Sequence, residues 1–441
     1  MNLEEVAKIL KAVSEGADQA AVKVVQRTET MLKIANSEPS VVQTWDRTVY
    51  EILLGKDERV FALSLEAGDP EEVIRRARDI LSMASKVDKS PFYAPLPPPS
   101  GASPRAVLDE ATLEKAERMG ELGELMISAA QEEGAERVAG MLSIAKIRKL
   151  LATSTGVSLE EKSSSVEAYL RAFAGEDGSG QWSLGGTRLD ERELEEMARR
   201  AGRYAVMSRG RKGIEPGRYD VVLSPMVMGN LIDVVADSAS AFMILMGMSF
   251  FQRNKPGDAV ASEVFSLIDD PEDPDLPEST GFDDEGLPTR RKYIIESGVL
   301  RTILHNSATA KVMKAEPTGN AGWLMPHAWN YVVPAGDMGE EEMISELKRG
   351  IVITNNWYTR LQNYVEGTFS TIARDAVFYV ENGEIKYPLG KIRIADTFPH
   401  LLKNVRALGR EIFKIKWWEV PKPSKLPFAL IEDVNISLPK I

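Results

Sequence analysis

The first 210 residues read as one unit written twice, and that repetition limits the fold more than any other feature of the chain. Helical periodicity over 3–14 is followed by strand patterns at 20–25, 30–35, 41–54 and 60–65. A helix over 70–85 then opens at Asp69 with Pro70 in its first turn. The same order returns with a helix over 113–132, strands at 138–145, 148–152, 158–173 and 181–184, and a helix over 191–207 opening at Asp190. Matching the turns sets Ala35 against Ala152 and Ser37 against Ser154, at one common offset. Tandem duplication is the expectation. Between the copies, Pro91, Pro95, Pro97, Pro98, Pro99 and Pro104 keep residues 86–105 out of regular structure and make a stiff linker. Gly178, Gly180, Gly185 and Gly186 are assigned to polar turns, without the strand-to-helix context a phosphate loop requires.

A chain of 441 residues exceeds what one core supports. The expected division is a first α+β repeat over 1–90, a proline-rich linker over 91–105, a second repeat over 106–212 and a strand-rich domain over 213–441. In the last, Ser297-Gly298 and Asn382-Gly383 each sit between two strand patterns, as hairpin turns do. Further strands are expected at 328–333, 350–355 and 428–436, and helices at 340–348 and 397–408. Strands with a few helices and no βαβ alternation give the class α+β: duplicated strand-rich units, then a mixed-sheet or barrel-like C-terminal domain.

Charge and composition remove several functions. A net charge of −12 and a pI near 5.1 oppose nucleic acid and anionic membranes as partners. With no cysteine there is no disulfide, thiolate ligand or thiol nucleophile. The longest apolar run, 241–251, falls short of the roughly 20 residues of a membrane span and reads as a buried helix. With no basic-then-apolar leader at Met1, a cytoplasmic location is expected.

After the strand pattern at 220–223, a long helix is expected from about Met228. It is almost all apolar, and its exceptions fall mostly on one stripe, because Asn230, Asp233, Asp237 and Ser240 recur three or four residues apart and share a face. That stripe is either the wet side of an amphipathic helix or a site. His305, His327 and His400 do not pair at helical ligand spacing, and the acidic run Asp269 to Glu278 is broken by prolines into a solvated loop rather than a calcium loop.

The most distinctive string is Gly281-Phe282-Asp283-Asp284-Glu285-Gly286. It is followed by Pro288, Arg290, the 294–300 hairpin, His305-Asn306, Thr309-Ala310-Lys311 and Thr318-Gly319-Asn320. With Gly350-Ile351-Val352, Gly367-Thr368-Phe369-Ser370, Val380 to Ile385 and Pro388, the chain resembles the TldD/PmbA family of metallopeptidases, earlier described as modulators of DNA gyrase. The likeness covers the third domain well and the first two in layout. It implies two kinds of member: TldD-like chains with a His-Glu-x-x-x-His zinc helix, and TldE/PmbA-like chains that pair with them. Here the corresponding helix is expected to place Asp233 and Ser238 at the histidine positions and Val234 at that of the general base.

On the resemblance, this is a zinc-free TldE/PmbA-type subunit with no cofactor of its own. Zinc would belong to a TldD-like partner, and an extended peptide, captured by strand addition, would be the substrate of the pair. Asp283, Asp284, Glu285, Arg290, Asn306, Thr318 and Asn320 would then line the cleft. Self-association as a homodimer fits a family of paired relatives. The rivals are a stand-alone hydrolase with magnesium, calcium or manganese on Asp233 and Asp237, and a gyrase-related regulator, which the charge opposes.

Overall fold

The computed structural model describes residues 1–438. Each N-terminal copy runs helix, three strands, helix. The strands are Gln19–Ala35, Glu38–Lys56 and Arg59–Glu66 in the first copy, and Arg137–Thr153, Ser158–Ala174 and Gly178–Gly186 in the second. The first strand of each copy is longer than its broken apolar pattern suggests, so the two short strands expected in each place are one strand of 17 residues. Ladder hydrogen bonds bridge the polar positions between the apolar runs.

The copies share one antiparallel sheet. Gln19–Ala35 and Arg137–Thr153 lie side by side at its centre, in register from Ala21↔Thr153 to Ile34↔Gly140. The two turn serines close this pair reciprocally. Ser37 exchanges bonds with Val138, its Oγ accepting from the Val138 N–H at 3.0 Å and its N–H donating to the Val138 carbonyl at 3.0 Å. Ser154 does the same with Ala20 at the other end, at 3.0 and 2.8 Å. Helices Leu3–Val13 and Pro70–Ser82 cover one end of the sheet through Val6, Ile9, Val73 and Ala77, while Met119–Glu132 and Glu191–Met207 cover the other.

The four glycines assigned to turns are instead in the strand Gly178–Gly186, which is buried along its whole length. Helix Glu191–Met207 lies so close that a Cβ at Gly180 would sit 2.4 Å from the Ala201 carbonyl oxygen. Glycine serves here to let backbone approach backbone.

C-terminal to residue 216 the strands form two sheets. Gly217–Leu223 pairs in parallel with Arg349–Asn363 and antiparallel with Ala429–Ser437; through Arg393–Thr397 and Thr368–Glu381 the circuit returns to Arg349–Asn363, closing a five-stranded barrel. The second, mixed sheet contains Leu267–Asp269, Lys292–Glu296, Tyr331–Val332 and Val420–Leu426. The class is α+β. The helix expected over 397–408 stops at Lys403, and Val405–Leu408 is a strand on the barrel.

Candidate functional site

The strand Gly217–Leu223 delivers the chain to Ser224, which caps the helix Pro225–Ser238. Its Oγ donates to the Thr354 carbonyl at 2.6 Å and accepts from the Val227 N–H at 3.4 Å. The helix is shorter than expected. At Ala239 and Ser240 the chain leaves the spiral to pair with Leu304, the Ala241 N–H reaching the Leu304 carbonyl and the Leu304 N–H the Ala239 carbonyl, both at 2.9 Å. Only a short helix, Ala241–Leu245, follows, and Met246 and Met248 are exposed, so the run 241–251 is not one buried helix.

The polar stripe divides among three surroundings. Asn230 belongs to an amide network with Asn356 (2.8 Å) and the Glu419 carbonyl (2.9 Å). Ser240 donates to the Pro326 carbonyl at 2.7 Å. Asp233 accepts a 2.8 Å bond from the hydroxyl of the buried Tyr331, and burial holds its carboxyl above the ordinary range although that bond opposes the shift. Asp237, one turn on, is pushed up to about 7, first by burial and then by Asp233, against the pull of Lys422. Ser238 turns its hydroxyl back to the Val234 carbonyl at 2.8 Å, and Val234 packs on the apolar core.

These residues do not fit a zinc ion. Asp233 is held by a phenol, Val234 offers no donor, and Ser238 is spent on its own helix. Among the described residues, no three His, Cys, Asp or Glu side chains converge to hold a metal.

The loop 281–290 and the segment 305–322 form a clamp. Asp283 is buried and accepts from the N–H groups of Glu285 (3.0 Å), Leu287 (2.9 Å) and Ala321 (3.0 Å). Glu285 accepts from the Ser307 N–H at 3.0 Å and its hydroxyl at 2.5 Å. Burial raises both carboxyls. Asn306 caps the helix Ser307–Met313 by accepting from the Thr309 N–H at 2.9 Å. Thr318 accepts from the His305 N–H at 2.9 Å and donates to Asn320 at 2.8 Å. Asn320 in turn donates to Asp269 at 2.6 Å and to the His327 carbonyl at 2.9 Å. These five hold loops in shape, and Arg290 is exposed.

Asp284, itself buried, is the motif residue that lines a cavity, one of about 290 Å³ between the N-terminal sheet and the C-terminal part. There its carboxylate meets Lys23 at 2.7 Å, and Lys23 also meets Glu51 at 2.8 Å. Burial would lower the Lys23 pKa, but these two carboxylates hold it above the usual value. Lys149 pairs with Glu161 at 2.8 Å and stands 4.2 Å from the centre of the Phe282 ring.

Glu278, His327 and Lys422 complete the cavity's chemistry. Burial would raise the Glu278 carboxyl, yet Lys422 and the other cations around it hold it below the ordinary range. Burial, with Lys422, pushes His327 down to about 4, so its imidazole is neutral at neutral pH. Sequence reasoning missed the lysines, weighed His327 only as a metal ligand, and placed Glu278 in a solvated loop, whereas the run Asp269 to Glu278 has Asp269 and Asp270 buried and Glu278 at the cavity. The signal available was a lysine breaking an apolar strand run, as Lys23 does within Ala20 to Val25.

Comparison with known proteins agrees with this architecture. The C-terminal domain of the PmbA/TldA metallopeptidases matches residues 216–438, and their central domain matches residues 98–209. A metalloprotease of Methanothermobacter thermautotrophicus is 30% identical over 273 residues, a match spanning 58% of this chain and 59% of that protein. Among solved structures, TldE from Thermococcus kodakarensis superposes with a TM-score of 0.86 over 98% of this chain and 99% of its own, at 19% identity, which is a likeness of fold. A Thermotoga maritima protein solved as a candidate modulator of a DNA gyrase gives 0.83 at 26% identity, over 98% of this chain and all of its own. The chain belongs to the PmbA/TldD family.

Proposed function

We propose that this chain is a non-catalytic, TldE/PmbA-type subunit. It pairs with a zinc-bearing, TldD-like metallopeptidase subunit and helps form the cleft for an extended peptide. The observation that carries this reading is the helix Pro225–Ser238, where Val234 stands on the apolar core and Asp233 is tied to Tyr331. A general base and three ligands are what water activation on zinc needs. The similarity in fold to a TldE supports the assignment of type.

Peptide capture has room along residues 38–47, short of Thr48, whose carbonyl accepts from the Ala67 N–H. They pair with Gln19–Ala35 on one edge, while Arg59–Glu66 covers the other edge only from Val49 onward. Such an edge can accept a peptide strand through main-chain bonds.

The test is co-expression with a relative that bears His-Glu-x-x-x-His. The two chains are expected to co-purify, and only the pair should cleave an unfolded polypeptide. Robust proteolysis by this chain alone would sink the reading.

A second reading, a metal-dependent hydrolase on Asp233 and Asp237, draws on those two carboxylates facing each other across one helical turn. Stoichiometric metal in purified protein, lost in the Asp233→Ala, Asp237→Ala double variant, would favour it.

A further inference from the structure

Away from the zinc-position helix, a pocket of about 370 Å³ opens where the second N-terminal repeat meets the barrel. Its lining includes Arg171, Arg211, Arg374, Lys391, Asp375 and Trp357. Four cationic side chains thus surround one carboxylate, in a protein whose net charge is −12. Asp375 is buried at a bulge in the strand Thr368–Glu381, with φ of 60°. Arg171 reaches one of its oxygens at 2.7 Å, and Arg374 the other at 3.1 Å. Asn355 adds a third bond at 2.8 Å.

The carboxylate is therefore fully engaged, and Arg211 and Lys391 line the same pocket without an ion pair to it among the described residues. Arg211 bonds neutral oxygens, Ser179 Oγ at 2.8 Å and the Ser208 carbonyl at 3.4 Å. Among the described residues, Lys391 forms no ion pair. Burial lowers the pKa of both Arg211 and Arg374; Asp375 pulls each the other way, as Asp177 does Arg211 and Glu419 does Arg374, and Arg171 adds repulsion on both. Clustered like charges in a partly dry pocket cost free energy unless an anion joins them. A simple fastening of barrel to repeat would need only the Arg171–Asp375–Arg374 bridge.

We propose that this pocket binds a phosphate-type oxyanion, held by Arg211 and Lys391 with help from the outer guanidinium nitrogens of Arg171 and Arg374. Planar guanidinium forks suit tetrahedral oxyanions, and a divalent phosphate offsets more of the surplus charge than a carboxylate does. Trp357, 40% exposed at the rim with its ring 5.6 Å from Arg374, gives a flat surface on which the organic part of a phosphate ester can rest.

The test titrates the full chain with sodium phosphate by calorimetry at fixed ionic strength, beside the Arg211→Gln, Lys391→Gln double variant. Saturable binding at one site is expected in the natural sequence, weakened at least tenfold in the double variant. The exposed Lys391→Gln change alone should weaken it several-fold, which keeps the test independent of any folding defect at Arg211. No saturable binding, or equal affinity in natural and variant proteins, would overturn the proposal. Acetate and N-acetylglycine serve as carboxylate probes: weaker binding than phosphate supports the assigned class, and equal or tighter binding overturns it.

Discussion

Asp237 is the residue whose environment departs most from its chemistry on the helix Pro225–Ser238. A carboxyl titrating at about 7 in the folded protein and near 3.8 in the unfolded one keeps a proton that the unfolded chain releases. The native state therefore binds more protons between those values, and stability falls as pH rises from about 4 to about 7, then levels. Asp237→Asn removes that slope. Urea unfolding should show the variant gaining on the natural protein across this range, by on the order of 3 kcal/mol at pH 8. Parallel stability curves would contradict the burial of Asp237. Beside it, Tyr331→Phe strips Asp233 of its one phenolic donor and should cost about 1–3 kcal/mol at neutral pH in the same measurement.

At the level of elements, the duplication was legible because both copies repeat turn signals and apolar alternation, and the structure repeats even the serine that closes each turn. Ser37→Ala and Ser154→Ala should each cost about 1 kcal/mol. Their bonds lie at opposite ends of the central strand pair, so the double variant should show the sum. A coupling above about 0.5 kcal/mol would mean the two ends communicate.

What the sequence hid had physical causes. Gly178–Gly186 carries turn residues in a buried strand because a helix presses on it, and pressure from another element leaves no local pattern. The helix at Pro225 ends at Ser238 because Leu304, far along the chain, offers better partners to Ala239 and Ala241. Gly180→Ala should destabilise the chain by more than about 2 kcal/mol in thermal unfolding, through overpacking against helix Glu191–Met207. The motif string 281–290 was readable as a string. That Asp284 would face the cavity while Asp283 and Glu285 hold loops depends on contacts with distant segments.

For the whole molecule, the junction between the N-terminal sheet and the C-terminal part is electrostatic at its heart. Lys23 and Asp284 are nearly buried, so Lys23→Met, which leaves Asp284 and Glu51 without their cation, should cost about 3 kcal/mol, and Asp284→Asn, after which Lys23 keeps Glu51, should cost less. The double variant should recover part of that loss in denaturant unfolding. If both single changes are neutral, the pair does not fasten the two parts. The reciprocal pairing at the centre of the N-terminal sheet also governs how the protein comes into being. Strand Gln19–Ala35 cannot fill its second edge until Arg137–Thr153 has been synthesised, more than a hundred residues later. During translation, the first repeat waits with an open strand edge, and closing so distant a pair makes folding slow. A nascent chain halted near residue 90 is thus a sticky half-sheet, and the protein's most vulnerable moment precedes its completion.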